Sequence, residues 1–135
     1  MQHLASGTFQ VRISPAGAAD DADCTALGRS ALDKTYHGDL DAGARGEMLT
    51  AITTTSGSAV YVAIERVRGR LHGREGSFCL AHHGRMARGA QSLTVEIVPD
   101  SGSGALAGIA GSLSIRIAEG QHYYELRYSL PDAPA

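Results

Sequence analysis

Glu65 and His82 are the two side chains of this sequence whose chemistries most directly complement one another. A carboxylate held beside an imidazole can act as a general acid–base pair near neutral pH. Both lie in the stretch Val60–His83, VYVAIERVRGRLHGREGSFCLAHH, which alternates as a β-hairpin. Gly73-Arg74 supplies a two-residue turn, with glycine at the first central position as a type II′ turn requires. That turn sets Glu65 opposite His82, Val67 opposite Leu80 and Gly69 opposite Phe78. Side chains alternate across a strand, so Tyr61, Ala63, Glu65 and Val67 share a face with Phe78, Leu80 and His82. The other face carries Arg66, Arg68 and Arg70, opposite Ala81, Cys79 and Ser77. Three guanidinium groups must stay wet, so the Glu65 face is the inner one. Burial raises a carboxyl pKa and a neighbouring imidazolium lowers it. Two readings stand level: a catalytic pair, or a buried polar pair that fixes register.

Tyr61, Tyr124 and Tyr128 are also expected to face inward, and buried phenol hydroxyls seek partners. Core aromatics with one bonded hydroxyl each is the favoured reading; donation to a substrate oxygen or to Glu65 is the alternative. Ala63, beside Tyr61, leaves room for a ligand. The candidate ligand-contacting set is therefore Tyr61, Ala63, Val67, Phe78, Leu80, Tyr124 and Tyr128. Lys34, the only lysine, shares a face with Leu32 and Tyr36. An inward ammonium would need a carboxylate, so Lys34 is expected to reach the rim instead. Glu96 and Arg116 oppose the apolar faces of their strands and read as exterior. No metal site is expected: His82 and His83 point to opposite faces, and neither HxH nor HExxH occurs. Gly102–Gly111 lacks the GK[ST] ending of a phosphate loop and reads as a turn. No cofactor is implied.

Seventeen glycines interrupt every window long enough for a helix, whereas period-two alternation recurs. Thr8–Ile13, Ser92–Val98, Ser112–Ala118 and His122–Leu130 each place apolar residues on one face. Two further strands are expected within Leu27–Tyr36 and Ala44–Thr53. With the hairpin this makes about eight antiparallel strands, which predicts an all-β closed barrel or a sandwich. Ser14–Asp23 reads as a polar connection and Pro131–Ala135 as a frayed tail. A length of 135 residues suits one domain with one core. The formal charge of −2 argues against a nucleic-acid surface. No stretch has the pattern of a signal peptide or a membrane span, so the expected location is cytoplasmic and Cys24 and Cys79 are read as reduced thiols. Val60, Val62 and Ile64 point outward together, and a subunit interface is the preferred explanation over a covering loop.

Several motifs occur in order: ASGTF at Ala5–Phe9, GDL at Gly38–Leu40, ERVRG at Glu65–Gly69, GREGSF at Gly73–Phe78 and LAHHG at Leu80–Gly84. GSGALAGIAG at Gly102–Gly111 and the terminal HYYELRYSL follow. The chain thereby resembles a bacterial family, domain of unknown function 3224, over nearly its whole length. That family is similar in fold to allene oxide cyclase, whose barrel is shared with dirigent proteins. The resemblance implies an eight-stranded antiparallel barrel and a homo-oligomer. It implies function only through relatives that act on apolar small molecules.

The resulting expectation is a barrel that binds an apolar small molecule in its interior. One version is a cofactor-independent isomerase or cyclase using Glu65 and His82, with Tyr61 or Tyr124 polarising an oxygen. Another is a binding module in which the same pair anchors a polar group. A third is a structural oligomer with a filled barrel. Neither nucleic acid nor membrane is an expected partner.

Overall fold

The computed structural model describes residues 2–17, 20 and 24–131, and its regular structure is all β. The strands are β1 Gln2–Pro15, β2 Ala26–Gly38, β3 Leu40–Ile52, β4 Ala59–Leu71, β5 Arg74–Ala87, β6 Ala90–Ile97, β7 Ser103–Gly104, β8 Ala110–Ala118 and β9 Gln121–Ser129. Eight of them close an antiparallel ring in the order β1-β2-β3-β4-β5-β6-β8-β9, and the short β7 pairs with β5 outside it. Closure gives every strand of the ring a neighbour on both sides, which protects its edges. The expected barrel is therefore the fold. The polar connection read over Ser14–Asp23 falls partly outside the described residues, and so does all of the tail beyond Pro131.

Alternation works as the sequence predicts. Phe9, Tyr36, Val67, Phe78, Leu80, Val95, Leu113, Tyr124, Leu126 and Tyr128 all point into one buried core. The two ends of the barrel differ. At one end the stretch after β7 folds inward and seats Leu106 and Ile109 as a plug. Gly102–Gly111 is thus a connection between strands, as expected, but one that also completes the core. At the other end β6 and β8 share a single register pair, Glu96 with Ser112. Beyond it no further pairs form, so the wall parts and the barrel stays open. Ile13, Ile52, Leu93 and Ile117 occupy inward register positions there and are nevertheless exposed.

The β4–β5 hairpin corrects the expected register. Its turn is His72-Gly73, flanked by the pair Leu71 and Arg74, and not Gly73-Arg74. Both turn residues have positive φ, 49° and 79°, the type I′ pattern. A histidine tolerates that conformation here because it is tied on three sides. Its N–H donates to the Asp39 carbonyl, its Nδ1 lies 2.5 Å from the Tyr128 hydroxyl, and its Nε2 lies 3.6 Å from Asp39 Oδ2. Glu65 therefore faces Leu80, Val67 faces Phe78, Gly69 faces Gly76 and His82 faces Ala63. On the outer face Arg66 pairs with Cys79, Arg68 with Ser77 and Arg70 with Glu75. The shift is an even number of residues, so every side chain keeps its predicted face.

Val60, Val62 and Ile64 are exposed, Ile64 to 60 %, and no described residue covers them. Register places Ala51 beside Val60 and Leu27 beside Ala51, Leu49 beside Val62, and Ala81 beside Ile64. These residues form one apolar surface across β2 to β5.

Candidate functional site

The site is assembled across four strands, and the small residues of β3 make it possible. Ala42, Ala44 and Gly46 line the inner face of β3 opposite Tyr36, Lys34 and Leu32 on one side and Gly69, Val67 and Glu65 on the other. At Gly46 a Cβ would come within 2.0 Å of the Ile64 carbonyl oxygen and 2.6 Å of Glu65 Cα, so only glycine lets β4 approach this closely. With β3 so low, long side chains from β2 pass over it and reach β4.

They converge on Glu65, which is fully buried. Lys34 Nζ donates to Glu65 Oε2 at 2.6 Å. His82 Nε2 lies 2.7 Å from the same oxygen, reaching diagonally from β5. The Tyr36 hydroxyl donates to Oε1. Lys34 is itself buried, with its ammonium 5.1 Å from the Phe9 ring centroid and 5.9 Å from that of Tyr36. This corrects the expectation that Lys34 reaches the rim. The carboxylate it would need in the interior is present, and an ion pair with aromatic walls replaces water.

Burial pushes the Glu65 carboxyl up. The His82 hydrogen bond and the Lys34 ammonium outweigh it and hold the pKa at about 2, against an ordinary 4.5. Glu65 is thus a fixed anion with both oxygens engaged, which makes it a poor proton acceptor. The Tyr36 hydroxyl is pushed well above its ordinary value by burial, then by the charge and hydrogen bond of Glu65. An ionised carboxylate only accepts hydrogen bonds, so His82 Nε2 carries the hydrogen. His82 Nδ1 bonds to no described residue. Carboxylate, oriented imidazole and a bare ring nitrogen are the parts of a base–orienter pair.

One rung nearer the open end, Tyr61 pairs with Gly84. A Cβ on Gly84 would lie 2.1 Å from Tyr61 Cε1, so the ring lies directly over the glycine. The Tyr61 hydroxyl makes no hydrogen bond to a described residue, and its pKa is raised by burial and then by Glu65. Above it opens a cavity of about 750 Å³, lined by Tyr61, Met48, Thr50, Met86, Leu93, Ile115 and Ile117 among others.

Of the predicted site residues, the structure brings Glu65 and His82 into direct contact and sets Tyr61 above them. Ala63, Val67, Phe78 and Leu80 are buried on the same face, in the packed part of the barrel. Tyr124 and Tyr128 also face inward, with their hydroxyls engaged elsewhere. Tyr124 donates to the His37 carbonyl at 2.9 Å and accepts the Leu40 N–H at 2.9 Å, and Tyr128 meets His72 at the plugged end. Sequence reasoning missed Tyr36 and the cavity residues on β3, β6 and β8. The signal for Tyr36 was the run Leu32, Lys34, Tyr36 on one face, which carries the sole lysine of the chain. Among the described residues no group of three or more His, Cys, Asp or Glu could hold a metal ion, and no helix is long and apolar enough to cross a membrane.

A family model described as a protein of unknown function, DUF3224, matches residues 5–128. No curated protein matches the chain. A crystal structure of a DUF3224-family protein of unknown function from Shewanella oneidensis MR-1 is similar, with 46% sequence identity and a TM-score of 0.92. The similarity covers 98% of this chain and 100% of that one. The family model spans most of the chain and the solved relative reproduces the whole barrel, so this chain belongs to the DUF3224 family.

Proposed function

We infer that this protein binds an apolar small molecule in the open half of its barrel, against the Tyr61 ring. The observation that carries this reading is the cavity of about 750 Å³ walled by methionine, leucine and isoleucine side chains and by Tyr61. That volume lies in the usual range for small-molecule sites, which are mostly apolar with a few placed polar groups. Nile red, a neutral apolar fluorophore, tests it. Its emission should rise and shift to the blue on mixing with the protein. Ile115→Trp fills the mouth and should weaken binding about tenfold or more. No emission change with the wild-type barrel would sink the reading.

A catalytic version is favoured by one specific observation, the Glu65–His82 pair with Nδ1 unpartnered. His82 would be the base of a cofactor-independent isomerase, and Glu65 the residue that orients it and stabilises the imidazolium. This exchanges the roles that sequence alone leaves open between the two.

The uncovered surface of Val60, Val62 and Ile64 supports a second copy of this chain as a partner. Arg29 and Glu47 stand at its edge, 3.7 Å apart. A patch with both signs of charge at its edge can meet a second copy about a two-fold axis without opposing like charges throughout. Ile64→Glu should shift the mass measured by light scattering from a multiple of the chain toward a single chain. A wild-type protein that is already monomeric at high concentration would rule this partner out.

A further inference from the structure

We propose that the ligand is a neutral carbonyl compound whose carbonyl oxygen accepts a hydrogen bond from the Tyr61 hydroxyl inside the cavity. The proposal rests on the binding reading above and names the polar group that the ligand carries.

The cavity wall favours an uncharged ligand. Every inward-facing residue that lines it is uncharged, and Met48, Met86, Leu93, Ile115 and Ile117 give it apolar sides. Arg85 also borders the cavity, but it pairs with Val60 and Ser92 on the outer face of the sheet, so its side chain starts from outside. A charged ligand would give up its water against these walls without meeting an opposite charge. The buried Glu65 carboxylate offers none, because Lys34, His82 and Tyr36 already engage it.

Tyr61 sets the polar group. Its ring leaves β4 and lies across Gly84 on β5, with Cδ1, Cε1 and Cζ 2.6, 2.1 and 2.7 Å from where a Cβ on that glycine would stand. The hydroxyl, one bond beyond Cζ, is thereby carried towards β6, where Leu93 is the register partner of Gly84 and lines the cavity. Tyr61 is only half-buried, and its hydroxyl makes no hydrogen bond to a described residue. Burial, and then the charge of Glu65, push its pKa upward, so it keeps its proton and is a donor. The other polar side chains of the inner wall are turned away or engaged. Thr50, the register partner of Tyr61 on β3, rests its Oγ1 on the bare backbone of β2, 2.8 Å from where a Cβ on Gly28 would stand. Gln91 Nε2 donates to Met86 Sδ at 3.7 Å. An apolar body that fills the cavity strips water from the phenol and leaves its donor unpaired, a loss that an acceptor on the ligand removes. A carbonyl oxygen is such an acceptor and brings no hydrogen of its own. An alcohol brings an O–H, to which walls of Met, Leu and Ile offer only a weak sulfur acceptor.

The test uses three probes with one apolar body: para-butylacetophenone, para-butylethylbenzene, in which a methylene replaces the carbonyl, and para-butylbenzoate. Their affinities are read by displacement of Nile red, calibrated with the dye's own affinity for each protein. The ketone should bind the wild type about tenfold or more tightly than the benzoate. Tyr61→Phe keeps the ring and removes only the hydroxyl. It should lower the ratio of ketone to hydrocarbon affinity about tenfold. Its urea midpoint should stay at the wild-type value, because the hydroxyl holds nothing within the protein. The infrared carbonyl stretch of isotope-labelled ketone reads the bond directly and should lie at lower frequency in the wild type than in Tyr61→Phe. An unchanged affinity ratio, an identical stretch in the two proteins or a lowered urea midpoint overturns the proposal, as does tighter binding of the benzoate. Nile red binding without these Tyr61 effects would defeat this inference alone, whereas failure of Nile red and all three probes would defeat the binding reading beneath it.

Discussion

Glu65→Gln is expected to cost about 3 kcal/mol or more of folding stability, because it strands the Lys34 ammonium inside the barrel without its anion. The magnitude follows from burial. Lys34 is 6 % exposed and Glu65 0 %, so water cannot take over the role of the lost partner. An exposed pair such as Arg29–Glu47 is worth at most about 1 kcal/mol. Folded domains are stable by roughly 5–15 kcal/mol, so the substitution consumes a large share of the total. The double variant Lys34→Met/Glu65→Gln removes the stranded charge and should recover a substantial part of the loss. Urea unfolding of the wild type, both single variants and the double variant measures this as a coupling energy. Additive losses, or a Glu65→Gln loss no larger than that of a surface pair, would mean that the buried cluster is not an ion pair in solution.

The second large effect is acid sensitivity. The Glu65 carboxyl is held down to about 2 in the folded barrel and returns to about 4.5 when the chain unfolds. A group depressed by folding contributes its full stabilisation above its unfolded pKa and loses it as pH falls through the folded one. The Glu65 contribution is therefore complete above about pH 5, declines below 4.5 and is gone near 2. A difference of this size corresponds to about 3 kcal/mol. Urea midpoints measured at a series of pH values should fall steeply across that window in the wild type and less steeply in Glu65→Gln. Parallel curves for the two proteins would show that Glu65 does not titrate with a depressed pKa. Tyr36 has no part in this window, since burial and Glu65 push its hydroxyl upward, away from acid.

The face that each residue presents was legible in the sequence, and the partner that each residue meets was not. Tyr61, Ala63, Glu65, Val67, Phe78, Leu80 and His82 all lie inside, and Arg66, Arg68 and Arg70 all lie outside. That result survived a wrong turn, because a slip by an even number of residues leaves the two faces intact. The turn itself was misplaced because His72 takes the first position of a type I′ turn, which two-residue hairpins usually give to Asn, Asp or Gly. The contacts that secure it come from Asp39 and Tyr128, distant in the chain. Lys34 was misplaced for a related reason. A lone lysine among apolar residues reads as a rim cation until its carboxylate is known, and Glu65 lies 31 positions away on a strand that is not even adjacent to β2.

The sequence by itself determined the antiparallel strands, their inner and outer faces and the burial of Glu65 and His82, because alternation is a local property of an extended chain; it left barrel and sandwich open, and the family resemblance pointed to the barrel. Only the tertiary structure decided that Lys34 and Tyr36 complete the cluster, that one end is plugged by Leu106 and Ile109, and that the other opens between β6 and β8. Those features depend on how far β3 lets its neighbours reach across it and on where strand pairing stops. Both are set by closure of the ring, which no single segment encodes.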